Sequence, residues 1–152
     1  MTELGCIIGF TGSRSGMSDQ QKESFLQVVK DLEKISTFRH GDCIGSDADA
    51  HKIMKNRNCH IIGHPPSYKK YRAFCDCDIF LNSKAYLDRN KDIVNSSEIL
   101  IATPAGIEKL RSGTWSTVRY ARKKARPIYI IMPNGKIKEE NIENINSEVD
   151  SD

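Results

Sequence analysis

No stretch of this sequence approaches the roughly 20 apolar residues that a membrane-spanning helix needs. The longest apolar run, Pro127 to Met132 with its neighbours, is strand-sized, so a soluble protein with no membrane partner is expected. A leader-like apolar segment is lacking at the N-terminus, and the five cysteines are odd in number, which speaks against a fully paired disulfide framework. The expectation is a cytoplasmic, reduced protein whose thiols serve mainly as small buried side chains. Metal-type spacing is lacking as well: His40, Cys43, His51, Cys59, His60, His64, Cys75 and Cys77 contain a single close cysteine pair, a C-x-C, and no C-x-x-C, so no metal is expected. Neither a Ser-His-Asp order nor a cysteine-nucleophile signature appears, and there is no internal repeat. At 152 residues the chain is long enough for one domain with a real core and too short for two.

The formal charge of +3 hides an asymmetry, because residues from Asn134 onward carry two lysines against six acids, leaving about +7 on what precedes them. A basic body favours anionic ligands or nucleic acid. The stretch from 134 to 152 is rich in Glu and Asn and poor in apolar residues, so it reads as a disordered acidic tail on a domain spanning residues 1–133.

What is present is organised around Cys6 to Arg14. Leu4 to Ile8 reads as a buried strand, and Gly9 and Gly12 permit a tight turn whose amides point one way ahead of a helix. Such a turn stabilises an anionic oxygen. Thr11 and Ser13 add hydroxyls, and Arg14 adds a fork-shaped charge suited to phosphate.

Ser18 and Gln21 form a capping-box pattern, and Phe25, Val28, Val29 and Leu32 continue an amphipathic helix over 18–35. Phe38 to His40 is a second strand, followed by Gly41-Asp42 and by Gly45-Ser46-Asp47, which opens a second helix. Cys59 to Gly63 is a third strand closed by His64-Pro65-Pro66. Residues 64–82 show no period and read as a long surface excursion. A third helix carries Tyr86, Leu87, Ile93 and Val94, with Arg89 and Asn90 near its start. Glu98 to Thr103 is a fourth strand, Ser112-Gly113-Thr114-Trp115 opens a fourth helix, and Pro127 to Met132 is a fifth strand.

Apolar strands alternating with helices predict an α/β fold. The expectation is a single Rossmann-like three-layer domain with a five-stranded parallel sheet in the order 3-2-1-4-5 and helices on both faces. That winding places the turns at Thr11–Arg14 and Arg111–Thr114 side by side, where a ligand belongs. Phosphate would sit at Gly12-Ser13-Arg14 and Ser112-Gly113-Thr114, with Gly41-Asp42 and Ser46-Asp47 facing a ribose or base. For Asp42 and Asp47, turn geometry and helix capping explain the acids equally well. Arg111 could clamp a phosphate. Trp115 could stack on a base or simply pack in the core. Arg89 and Asn90 reach the crevice or lie solvated, and His64 faces the ligand or caps its loop. A basic surface of Lys69, Lys70, Arg72, Arg119, Arg122, Lys123, Lys124 and Arg126, with Tyr68, Tyr71 and Tyr120, offers single-stranded DNA as an alternative partner.

Several segments together resemble the SLOG superfamily of Rossmann-like nucleotide-binding domains, which includes the cytokinin-activating phosphoribohydrolases and the DNA-processing protein A group. They are Gly9 to Arg14, His40 to Asp47 with Ala50, His64 to Pro66 with Arg72-Ala73, Arg89-Asn90 with Ile93-Val94, and Ser112 to Trp115. The resemblance covers residues 5 to 133 and is nearest to the small stand-alone branch related to YpsA. It implies a nucleotide or nucleotide-derived ligand at the C-terminal edge of the sheet, with no separate cofactor, and is compatible with a homodimer. The phosphoribohydrolases read Pro-Gly-Gly-x-Gly-Thr-x-x-Glu after strand 4. Here Pro104-Ala105-Gly106 is separated from Gly113-Thr114 by an insertion and Thr117 stands where the catalytic glutamate would be. A threonine cannot serve as that base, so hydrolysis of a nucleotide N-glycosidic bond is the alternative, requiring Glu108 to fold back from the insertion.

Overall fold

The computed structural model describes residues 5–145. Cys6–Gly12 forms β1, Asp19–Asp31 α1, Ile35–His40 β2, Ser46–Lys55 α2, His60–Gly63 β3 and Ile79–Phe80 β4. Tyr86–Asn95 forms α3, Ile99–Thr103 β5, Gly113–Lys123 α4, Ile128–Ile131 β6 and Ile137–Glu140 β7. The sheet has seven strands in the order β4-β3-β2-β1-β5-β6-β7, parallel except at β7. Five strands were expected from the sequence. The order differs from the expected one by a strand at each edge, and each has a local cause.

β4 comes from the 64–82 excursion. Its entry is fixed by Asp78, whose backbone N–H donates to Ile61 O at 2.9 Å while its carboxylate accepts Ile61 N–H at 2.8 Å. β7 lies in the stretch expected to be disordered. A turn at Pro133-Asn134-Gly135, with Gly135 at φ 87°, folds the chain back so that Ile137 pairs with Ile131 and Glu140 with Ile128. The Arg122 guanidinium then holds the Glu140 carboxylate through two bonds of 2.8 and 3.0 Å. Of the tail's acids, Glu140 is thus neutralised by the last helix, while Glu139 stays exposed. Residues 146–152 of that expected tail, and Leu4 of the expected first strand, lie outside the described residues.

α1 begins where the capping box places it: Gln21 N–H donates to Ser18 Oγ and Ser18 N–H to Gln21 Oε1. It stops at Asp31 rather than 35, because Glu33 adopts a left-handed φ of 59° and turns the chain into β2. One face of the sheet buries Phe10, Phe25 and Phe38 in mutual contact, with ring centroids 5.6 to 6.1 Å apart. The other buries Leu100, Ala102, Ile128 and Ile130 against Trp115, Val118 and Ala121 of α4. α3 lies tightly on β1, since a Cβ on Gly9 would run into Ser97 and Ile93.

Candidate functional site

β1 and β5 are neighbours, with Gly12 opposite Thr103, and Ser13 N–H donates to Thr103 O at 3.2 Å. The turns at Thr11–Arg14 and Ser112–Thr114 therefore meet at one edge of the sheet. α2 arrives at the same point. Ser46 N–H donates to Ser13 O at 2.9 Å, and Gly45, at φ 94°, lies against the backbone of Arg14 where a side chain would collide. Gly45 gives α2 no side-chain cap, whereas Ser112 caps α4 by accepting Trp115 N–H at 3.1 Å.

Two hydroxyls at this junction are orphaned. Among the described residues, Ser46 Oγ and Thr103 Oγ1 are buried without a hydrogen-bond partner, and both would collide with a Cβ on Gly12. Buried polar groups are nearly always satisfied, and an unsatisfied one costs about 1–3 kcal/mol.

Beside them is a small hollow of about 20 Å³ lined by Thr11, Gly12, Gly41, Asp47, Arg89 and Thr114, among others. Its floor is electrically unusual. Arg89 is 3% exposed, donates to Gly41 O at 2.5 Å, His64 O at 3.0 Å and Asn90 Oδ1 at 2.7 Å, and forms no carboxylate ion pair among the described residues. Asp47 accepts N–H bonds from Cys43 and Gly41. Burial pushes its carboxyl up to about 6, against the opposing pull of Arg89. Gly41 is needed here because a side chain would strike Arg89 and Asp47.

Tyr86 narrows the mouth. Its ring lies 3.3 Å from where a Cβ on Gly113 would be. Its hydroxyl accepts a bond from Arg14, an interaction that raises the Arg14 pKa. The Arg14 guanidinium also stacks 3.8 Å above the Tyr71 ring. Tyr86 and Thr103 lie at this junction yet were not among the residues read from the sequence as binding, and Tyr71 was read only as a stacking residue for the single-stranded DNA alternative. Thr103 carried one signal, its position at the end of the strand beside β1.

Other expected residues take different places. Gly9 lies inside β1, opposite Arg39 and Leu100, because the strand runs on to Gly12. Asp42, at φ 50°, turns its fully buried carboxylate to Arg72 Nε at 2.7 Å and Cys75 N–H at 2.8 Å, so both Asp42 and Arg72 anchor the 64–82 excursion. His64 is buried with Nε2 3.1 Å from Arg39 Nη1, and burial together with that guanidinium pushes it down to about 4. Trp115 is 4% exposed in the α4 core and donates Nε1–H to Gly106 O, which leaves no face for a base. Arg111 is exposed. Glu108 does not fold toward the crevice: it pairs with Arg119 and Arg122 at 3.2 and 3.0 Å on the outer side of α4. Thr117 donates to Gly113 O at 2.8 Å.

The fold does assemble His40, His51 and Cys77, with ligand atoms within 4.8 Å of one another. Asp42 N–H donates to His40 Nδ1 at 2.9 Å, which leaves the proton on Nε2, the atom facing His51 Nδ1 at 3.0 Å and Cys77 Sγ at 3.5 Å. A protonated Nε2 cannot ligate, so the trio is a hydrogen-bond chain rather than a metal set.

Among solved structures, the chain resembles the molybdenum cofactor binding protein from the phototrophic bacterium Rippkaea orientalis, with a TM-score of 0.66 and 22% identity over 97% of this chain and 96% of that one. It also resembles DNA processing protein A from Streptococcus pneumoniae, with a TM-score of 0.62 and 18% identity. At these identities the likenesses are of fold: an α/β domain with a mostly parallel sheet. The second likeness takes in 84% of this chain but only 50% of the pneumococcal protein, so this chain spans about half the length of that relative. No protein-family model matches the sequence, and no curated protein does either. No helix among the described residues is long and apolar enough to cross a membrane.

Proposed function

We propose that this domain, read as one of the SLOG type, binds a nucleotide or nucleotide-derived small molecule, with the ligand's phosphate seated between the ends of β1 and β5. The observation that carries this reading is the pair of buried, partnerless hydroxyls, Ser46 Oγ and Thr103 Oγ1, at the uncapped start of α2. An anionic oxygen there would satisfy both hydroxyls and meet the positive end of the helix. Arg14 supplies the mobile charge and Arg89 the fixed one, while Thr114 and the start of α4 approach from the other side. The likeness to a cofactor-binding protein supports a small-molecule ligand.

The hollow as it stands holds about one water, so entry requires Tyr86 to swing off Gly113 and release Arg14. The same movement bares the Tyr71 ring, on which a base can take the place of the guanidinium. Isothermal titration against adenine nucleotides, cyclic nucleotides and ADP-ribose derivatives tests the reading. A binder that Arg14→Ala weakens by more than about tenfold, or about 1.4 kcal/mol, supports it. A panel without a binder, or an indifferent Arg14→Ala variant, overturns it.

Single-stranded DNA is the second reading, favoured by the likeness to DNA processing protein A. It draws less support from the surface, because Arg119 and Arg122 are engaged by Glu108 and Glu140. Affinity that falls steeply with salt would support it, and a flat response would count against it. N-glycosidic hydrolysis draws least, since Glu108 and Thr117 are both occupied elsewhere.

A further inference from the structure

We propose that the ligand carries a second phosphate, held outside the hollow by Lys69 and Lys70, so that the class this chain selects is a doubly phosphorylated nucleotide. The inference rests on the phosphate seat between β1 and β5 and names what meets the ligand beside it. Two cations share one aromatic ring there: the Arg14 guanidinium lies 3.8 Å from the Tyr71 ring centroid and the Lys70 ammonium 5.7 Å from it. A third, Lys69, precedes Lys70 in the short helical turn Lys69–Tyr71, and both lysines are exposed. Neither ammonium has a hydrogen bond or a carboxylate partner among the described residues. The neighbouring aspartates are already engaged, Asp42 by Arg72 and Cys75 N–H and Asp47 by Cys43 N–H.

The lysine turn is fixed beside the seat. Ile44 N–H donates to Tyr71 O at 2.9 Å, and two residues further on Ser46 N–H donates to Ser13 O at 2.9 Å, so one loop holds both the turn and the phosphate position. Ala73 N–H and Arg72 Nε bond to Asp42 on that same loop. A phosphate in the seat accounts for Arg14 and Arg89 and leaves Lys69 and Lys70 uncompensated. With the base on Tyr71, the ligand can offer these lysines a phosphate on the ribose 3′ oxygen or the outer phosphate of a 5′-diphosphate. Lysine suits either placement, because its ammonium is a point charge on a flexible stem rather than a fixed fork.

Isothermal titration in about 0.15 M salt, where charges more than about 8 Å apart are largely screened, compares a nucleoside 5′-monophosphate with the matching 3′,5′-bisphosphate and 5′-diphosphate. At least one doubly phosphorylated ligand should bind about tenfold tighter than the monophosphate, and which one does so tells the two placements apart. Lys69→Gln combined with Lys70→Gln should erase that gain while monophosphate affinity stays within about threefold. Lys30→Gln combined with Lys52→Gln removes the same charge from the last turns of α1 and α2, helices that begin at the site's edge of the sheet and run away from it, and should keep the gain. Equal affinities for the three ligands, a gain that survives the Lys69 and Lys70 substitutions, or one lost equally with Lys30 and Lys52 overturns the proposal. A chain that binds none of the three overturns the seat itself, whereas a bound monophosphate without a gain overturns the second subsite alone.

Discussion

The carboxylate of Asp42 accepts a bond of 2.7 Å from Arg72 Nε, joining the turn after β2 to a segment 30 residues further along the chain. The carboxylate is wholly buried and the guanidinium mostly so. Removing one partner of such a pair strands a charge, so Arg72→Ala should lower unfolding stability by about 3 kcal/mol. The same change should loosen residues 67–82, read out as faster proteolysis there, since Ala73 N–H to Asp42 O and Ile44 N–H to Tyr71 O form the rest of the joint.

At the mouth of the hollow the Tyr86 hydroxyl accepts a bond from Arg14, besides the guanidinium's contacts with the Tyr71 and Tyr86 rings. Tyr86→Phe keeps the ring over Gly113 and removes that bond, loosening Arg14 for an incoming anion. One such bond is worth about 1 kcal/mol, so nucleotide affinity should rise about fivefold, seen by titration, with faster association by stopped flow. Unchanged affinity would mean that the contact does not restrain Arg14.

Acid should destabilise the fold. His40 and His64 lie at about 3 and about 4 in the folded chain, held down mainly by burial, against an ordinary 6.5. As pH falls below 6.5 the unfolded chain takes up protons that the folded one refuses, and stability is lost until the folded values are reached. Asp47 works the other way: raised to about 6 from 3.8, it holds a proton in the fold that the unfolded chain releases, and this offsets one histidine between those values. The net expectation from these three groups is a loss of roughly 1.4 kcal/mol per pH unit between about pH 6 and pH 4. Denaturant midpoints across that range check it, and His64→Gln should flatten the slope.

The strand β7 is a further test. Ser18 Oγ donates to Pro133 O at 2.7 Å, Ser24 Oγ to Gly135 O at 2.5 Å, and Arg122 grips Glu140. A chain cut after residue 133 should therefore unfold at lower denaturant than one ending at 145. Equal midpoints would show that β7 adds nothing.

Much of this was legible because it is local. The Ser18–Gln21 capping box, the apolar strands and the glycine turns after β1 and β5 depend on near neighbours in sequence, and with a parallel sheet they bring Thr11–Arg14 and Ser112–Thr114 together. What escaped depends on distant partners. β4 is two residues long and exists because Asp78 reaches Ile61. β7 lies in a run of charge that alone could not order itself, and the Asn134-Gly135 turn was its one overlooked signal. Asp42 looked available for a ribose until Arg72 folded onto it, and Trp115 for a base until α4 buried it.

The most direct test of the binding role is Thr103→Val, combined with Ser46→Ala. Because neither hydroxyl has a partner in the fold, removing them should leave stability unchanged or raise it by up to about 1 kcal/mol, while affinity for the best nucleotide in the panel should fall by about tenfold. A double variant that binds as tightly as the native chain would contradict the placement of the phosphate between β1 and β5.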